Sequence, residues 1–441
     1  MKKMLVIGAV TAAVLGLLFC ILYFNTSKST GSVNKPTTVR IWLKERHISD
    51  VMNPLVNRYN ETGAEKDGIM IEYKDFGDEY ETVFATAYAT NNQAEIMSFP
   101  SSYSVKQLID NSWIKMIESI EGGKQFLSEY NDLSIARYND KAYAVKMSVT
   151  TVKLIYNKEL FQTNNIVDKN GNPKSPKTWE EIVEYARKIT EGGNGEVYGI
   201  VFPMRNSEYF WDFNLIKAFE PAVGFYYDDD NAVYNFSIYE KAFNNYLLKI
   251  KDDKSFYPNP LWIDNDNACK LFAEGKVGIK ISSFYDISVF NNMYGTDFDW
   301  GVAELPMFED TRYKKISYAY EPVGFAYLTN AVSKMKNEKN AISAYSWLFS
   351  NDVKSALYKN GKYLTIEEKI TKYSSVPEFK GWHEFSQFNA IRPLSAKDYD
   401  IIDDQDYTKE NIFDRIWIEN NKEYTGTLLK QMDDAWNKAL K

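Results

Sequence analysis

The chain predicts a two-lobed α/β protein, each lobe a mostly parallel sheet flanked by helices. Three observations lead there. Its 441 residues are more than one hydrophobic core organises, so two or more bodies are expected. Residues 38–98 alternate strand and helix patterns, the order of a doubly wound parallel sheet. Hydrophobic residues make up 44% and charged residues 25%, the balance of an ordinary globular body.

The N-terminus stands apart. Residues 4–24 are apolar and uncharged. As a helix at ~1.5 Å per residue they would reach about 31 Å, the depth of a bilayer core. Lys2 and Lys3 precede them, which orients the N-terminus to the cytoplasm and the body outside. Residues 1–25 therefore read as an uncleaved signal anchor. Cys20 offers a second reading, as a lipidated cysteine, and plain cleavage a third. Lipidation wants a small residue before the cysteine and polar ones after, whereas Phe19 precedes Cys20 and Ile21-Leu22-Tyr23-Phe24 follow. Residues 26–37 are small and polar, with Gly31 and Pro36, and read as a flexible tether. All three readings place the body at the outer face of a cell membrane.

The body opens on Thr38–Leu43, where Val39, Ile41 and Leu43 alternate with more polar positions, a strand. Ser49–Tyr59 carries Val51, Met52, Leu55 and Val56 at helical spacing. Ile69–Tyr73 is a strand, Glu79–Thr90 a helix and Ala94–Ser98 a short strand. Ligands of such sheets bind beyond the carboxyl ends of the strands, which singles out the loops after Leu43, Tyr73 and Ser98. Ala142–Val149 reads as a strand crossing between lobes, followed by Leu154–Tyr156. Asn170-Gly171 marks a tight turn. Thr178 with Glu181 three residues on is a capping box for a helix whose buried face is Ile182, Tyr185, Ala186 and Ile189. Helices follow at 238–252, Asn267–Gly275, Asn337–Phe349 and Gly426–Leu440, and strands at Val277–Ile281 and Trp300–Glu304.

Catalytic and metal-binding signatures are missing. Of two histidines, His383 begins a zinc-protease-like helix motif, but Gln387 stands at the second ligand position. Gly193-Asn194-Gly195 follows a helix rather than a strand, so it is no dinucleotide loop. Asp228–Asp230 and Asp264-Asn265-Asp266 lack the glycine and terminal glutamate of a calcium loop. No GxSxG elbow or P-loop is present. A net charge of −8 argues against a nucleic-acid surface. No enzyme, cofactor or metal is expected. With 60 Asp and Glu, a glycosidase-like carboxylate pair is a matter of spatial separation, which only coordinates reveal.

Aromatic residues are abundant, with 32 Tyr, 26 Phe and 10 Trp. Most belong to packing. Several, however, stand beside polar residues in loops after strands: Trp42 with Lys44, Glu45 and Arg46; Phe99 with Ser102 and Tyr103; Tyr209 and Trp211 with Asp212; Tyr285 with Asp286. Flat rings beside carboxylates and hydroxyls suit the faces and edges of sugars.

Six stretches in order resemble the extracellular solute-binding proteins of bacterial ABC importers, in the carbohydrate-binding branch. They are VRIWLKERHISDVMNPLVNRYNET, AEIMSFPSSYSVKQLIDNSWI, AYAVKMSVTTVKLIYNKELF, CKLFAEGKVGIKISSFYDISVF, FDWGVAELPMFED and the run from Tyr320 to Ser350. The resemblance implies a periplasmic-binding-protein type II fold with a ligand cleft between lobes, and hinge closure on a sugar or oligosaccharide handed to permease transmembrane subunits. It places lobe 1 at 38–147 and 284–326 and lobe 2 at 148–283 and 327–441, with crossings near Ala144–Thr150, Ile279–Ser283 and Gly324–Thr329. It implies ligand contacts at Lys44, Glu45, Arg46, Phe99, Ser102, Tyr103, Ser148, Thr150, Tyr209, Trp211, Tyr285, Asp286 and Glu321. Tyr285 stands where relatives have a stacking Trp, and Asp286 where many bind a hydroxyl. A monomer is expected. The other readings are a same-fold receptor for a polyamine, phosphate ester or metal chelate, a membrane-anchored sensor, and a surface hydrolase.

Overall fold

The computed structural model describes residues 36–100, 103, 105–130, 134–205, 214–228, 231–310, 317–320, 325–364, 380–388, 390–392, 405–419 and 422–440. The anchor, Cys20 and tether residues 26–35 lie outside the described residues, and Thr37, expected in the tether, opens the first strand. No helix among the described residues is long and apolar enough to cross a membrane.

Fourteen strands run through the described residues: β1 (Thr37–Leu43), β2 (Ile69–Asp75), β3 (Ile96–Ser98), β4 (Ile135–Tyr138), β5 (Lys141–Lys146), β6 (Thr150–Asn157), β7 (Tyr198–Val201), β8 (Tyr227–Asp228), β9 (Val233–Tyr234), β10 (Val277–Ser283), β11 (Trp300–Ala303), β12 (Tyr318–Tyr320), β13 (Phe325–Leu328) and β14 (Ala390–Arg392). The first sheet has the order β2-β1-β3-β13-β5-β4. Its β2, β1 and β3 are parallel, as strand–helix–strand order requires, and β13 runs antiparallel between β3 and β5. The second sheet has the order β14-β12-β6-β10-β7, with β11 also pairing β6.

Period-two alternation places the core. Val39, Ile41 and Leu43 of β1 bury on the face covered by the helices Ser49–Thr62, Lys339–Leu348 and Asn351–Lys359. Trp42 turns to the opposite face, among Tyr80, Phe84 and Tyr327. Along β6, Val152, Leu154 and Tyr156 enter the large core formed with the helix Trp179–Gly192, while Ile155 faces a second core with Phe284 and Trp382.

The Thr178 cap forms as expected, its hydroxyl accepting the Glu181 N–H at 3.2 Å. Glu181 reaches one residue further back than a reciprocal box requires and accepts the Lys177 N–H at 2.7 Å. The helical run expected at 238–252 is broken into short segments with a π-helical turn at Phe243–Leu247.

Strand pairing corrects the expected lobe boundaries. Residues 284–320 were assigned to lobe 1, yet β11 and β12 both bond to β6 in the second sheet. The segment 327–358 was assigned to lobe 2, yet β13 and the helices after it pack on the first sheet. The expected crossing at Ile279–Ser283 is not one, because β10 lies wholly within the second sheet between β6 and β7. The chain crosses between β5 and β6, returns between β12 and β13, and passes again by Leu364, which packs with Trp382 and Phe385 in the core beside the second sheet. Two of these passages touch: Val149 and Leu364 exchange backbone hydrogen bonds, each at 2.9 Å.

Candidate functional site

The site grows from the carboxyl ends of β1 and β3. The Lys44 N–H donates to Ser98 Oγ at 3.0 Å, and that hydroxyl donates to Glu45 Oε2 at 2.6 Å. Tyr80 holds the other side of Ser98 by donating to its carbonyl at 2.5 Å. Glu45 is thereby drawn inward, and burial pushes its carboxyl above the usual carboxylate range against the pull of the Ser98 bond.

Glu45 lines a small cavity with Leu43, Ile48, Ser98, Met147, Ala326 and Tyr363. The Tyr363 hydroxyl and Ser148 Oγ are buried with no hydrogen-bond partner among the described residues. Such groups are costly to bury unless something outside the protein bonds to them.

His47 follows in the same loop. Its ring meets Tyr285 edge-on at 4.6 Å and Tyr363 at 5.4 Å. Burial and the nearby Lys362 charge lower its pKa to about 4, so the ring is neutral at physiological pH. Tyr285 belongs to the turn after β10, so this contact joins the two sheets. The Lys362 ammonium lies 5.3 Å from the Tyr285 ring centroid and 3.1 Å from Asp50.

The structure thus brings Glu45 and Tyr285 of the expected set together, through His47 and Tyr363, while Ser148 is buried in the crossing between β5 and β6. Others take structural roles. Asp286 was expected to bind a ligand hydroxyl; its side chain is fully buried and paired with Lys280 at 2.6 Å. It also accepts from Asn265 Nδ2 at 2.8 Å and the Ser283 N–H at 3.1 Å. That corrects its role from ligand contact to anchor of the turn carrying Tyr285. Arg46 donates to the Phe76 carbonyl at 2.9 Å and lies 3.5 Å from Asp75, while Lys44 lies 3.6 Å from Glu81. Both stand at the rim. Tyr103 turns its ring into an aromatic cluster with Phe84 and Trp113. Phe99 is half-buried against Tyr327. Thr150 is half-buried opposite Tyr320. Ser102, Tyr209, Trp211 and Glu321 lie outside the described residues.

Sequence reading missed His47, Lys362 and Tyr363. His47 had a signal, since it sits one residue beyond the Lys44–Arg46 loop. Lys362 and Tyr363 had none, because the Val149–Leu364 bonds bring them in from far along the chain.

Glu45 offers a pH test. The native state holds its proton more tightly than the unfolded chain, so stability falls as pH rises through the native pKa. Glu45→Gln removes that dependence. Thermal unfolding from pH 4 to pH 8 should show the variant gaining on the wild type as pH rises; a constant difference would contradict a Glu45 carboxyl raised by burial.

The fold is shared with solved proteins of stated ligands. A maltose/maltodextrin-binding domain of Bdellovibrio bacteriovorus bound to maltotriose is 17% identical, with a TM-score of 0.68 over 91% of this chain and 99% of that one. A Thermotoga lettingae ABC-transporter solute-binding protein with α-D-tagatose is 18% identical, at 0.66 over 92% and 100%. A structure from work on xylan utilisation by Caldanaerobius polysaccharolyticus is 16% identical, at 0.70 over 90% and 99%. A family model for bacterial extracellular solute-binding proteins matches residues 49–355, most of the chain and all of the strands around the site except β1 and β14. The protein is a member of that family, and its place of work is outside the cytoplasm.

Proposed function

We propose that the protein is the sugar- or oligosaccharide-capturing receptor of an ABC importer, held at the outer membrane face by residues 4–24. One observation carries the ligand class: the Tyr285 ring, the buried Glu45 carboxyl and the Tyr363 hydroxyl, unpartnered among the described residues, come together where the two sheets meet. Rings cover the apolar faces of a polyol, and hydroxyls and carboxyls bond its edges. Two of the neighbours named above were solved with maltotriose and α-D-tagatose, both sugars, which supports the same reading. Lobe 1 comprises 38–147 and 325–364, and lobe 2 comprises 148–320 and 380–440. Solute contacting both lobes favours the closed form by its differential affinity, and that form docks on the permease.

Ligand contacts are assigned to Glu45, Ser148 and Tyr285, joined by His47 and Tyr363. Phe99, Ser102, Thr150, Tyr209, Trp211 and Glu321 are further proposed contacts, with Lys44, Arg46 and Tyr103. The second reading, a same-fold receptor for a cationic solute, is disfavoured by the Lys362 ammonium that already rests on the Tyr285 ring and would repel a second cation.

A thermal-shift screen against mono- and oligosaccharides, polyamines and phosphate esters decides between them. A solute at 100 times its dissociation constant adds about 2.7 kcal/mol of stability. A sugar hit is expected. A rise with spermidine and none with any sugar would overturn the sugar assignment in favour of a cationic solute.

A further inference from the structure

Lys362 lies where three parts of the molecule meet. Its ammonium is 5.3 Å from the Tyr285 ring centroid, on the second sheet, and 3.1 Å from Asp50 Oδ2, in the helix Ser49–Thr62 on the first. Its own segment is fixed on both sides. Leu364 is bonded to Val149 through both backbone groups. Gly361 has φ +69°, and a Cβ there would come within 3.3 Å of Ser288 Cβ, so this turn is pressed against the turn that carries Tyr285.

The two contacts of the ammonium differ in character. The Lys362 side chain is 7% exposed and that of Asp50 is 64% exposed. An ion pair with one wet partner is weak, whereas a cation held over a ring in a dry setting is worth more. Tyr285 therefore takes its orientation from Lys362 on one side and from the His47 edge on the other.

We propose that Lys362 is a positioning residue that sets the Tyr285 ring and couples its lobe to the helix bearing Asp50. The inference rests on the reading of the site given above, but its test needs no solute. A receptor of any solute class, or a failed screen, leaves the test intact.

Hydrogen exchange on the full chain in mild detergent reads the coupling. In Lys362→Met, amides of 46–50 and 284–288 should exchange about tenfold faster, with the strands β6 and β10 unchanged. Lys362→Arg keeps the cation and should restore wild-type exchange. Unchanged exchange in the methionine variant overturns the proposal. So does a general rise across the second sheet that arginine fails to restore, since that marks packing alone. Should the methionine variant not fold, Lys362→Gln, which keeps a polar side chain without its charge, supplies the test. It must speed exchange at 284–288, on the opposite lobe; no change there overturns the proposal.

Discussion

Replacing Lys280 by methionine is expected to lower the unfolding free energy by about 3–5 kcal/mol, the usual cost of stranding one member of a buried pair. The side chains of Lys280 and Asp286 are both 0% exposed and lie 2.6 Å apart. Lys280 also donates to Asn265 Oδ1 at 3.0 Å and to the Ile281 carbonyl at 3.1 Å. Asn265 in turn donates to Asp286, so Lys280, Asn265 and Asp286 form a closed ring of three bonds. Burial works against the ammonium charge, and the Asp286 carboxylate outweighs it, holding Lys280 above its ordinary range. Its contribution is thus present in full below the ordinary lysine pKa and is lost only as pH rises through the raised native value. Urea unfolding at pH 7 measures the effect. The double variant Lys280→Met/Asp286→Asn removes the stranded charge and should lie closer to wild type than Lys280→Met alone. A single variant within about 1 kcal/mol of wild type would contradict the buried-pair account.

Tyr285→Ala should weaken solute binding by about 30-fold or more, the effect of removing an anchoring aromatic from a desolvated centre. The ring is half-buried and stands between His47 and Lys362, so truncation takes away both the surface a sugar ring would cover and the contact across the sheets. The Lys280–Asp286 anchor beneath it is untouched, and the fold should survive. Calorimetric titration with the solute found by the screen gives the affinity, and unfolding temperature checks the fold. An affinity within threefold of wild type would remove Tyr285 from the site.

Much of the fold was readable because its signals are local. The alternation of Thr38–Leu43 and the cap at Thr178 with its apolar face declare themselves within a few residues, and both appear in place. Lobe membership was misread after Ser283 because it depends on pairing between distant segments. Nothing in Trp300–Ala303 states that it bonds to Asn157–Leu154 rather than to a strand of the first sheet. The site divides in the same way. Glu45 and Tyr285 stand in loops directly after the strands β1 and β10, and Ser148 in the crossing between β5 and β6, positions that follow from chain order alone. Asp286 was misread because its partner, Lys280, looks like any strand residue until the turn folds back over it. The candidate site was therefore legible as a set of loops, and not as the particular side chains those loops direct inward.

The reciprocal bonds between Val149 and Leu364 turn two separate connections into a short ribbon. A ribbon is stiff within its plane, because sliding one strand along the other breaks both bonds, but it can flex out of that plane with both intact. The two connections are therefore tied at that point, and any bending between the sheets engages them together rather than one at a time.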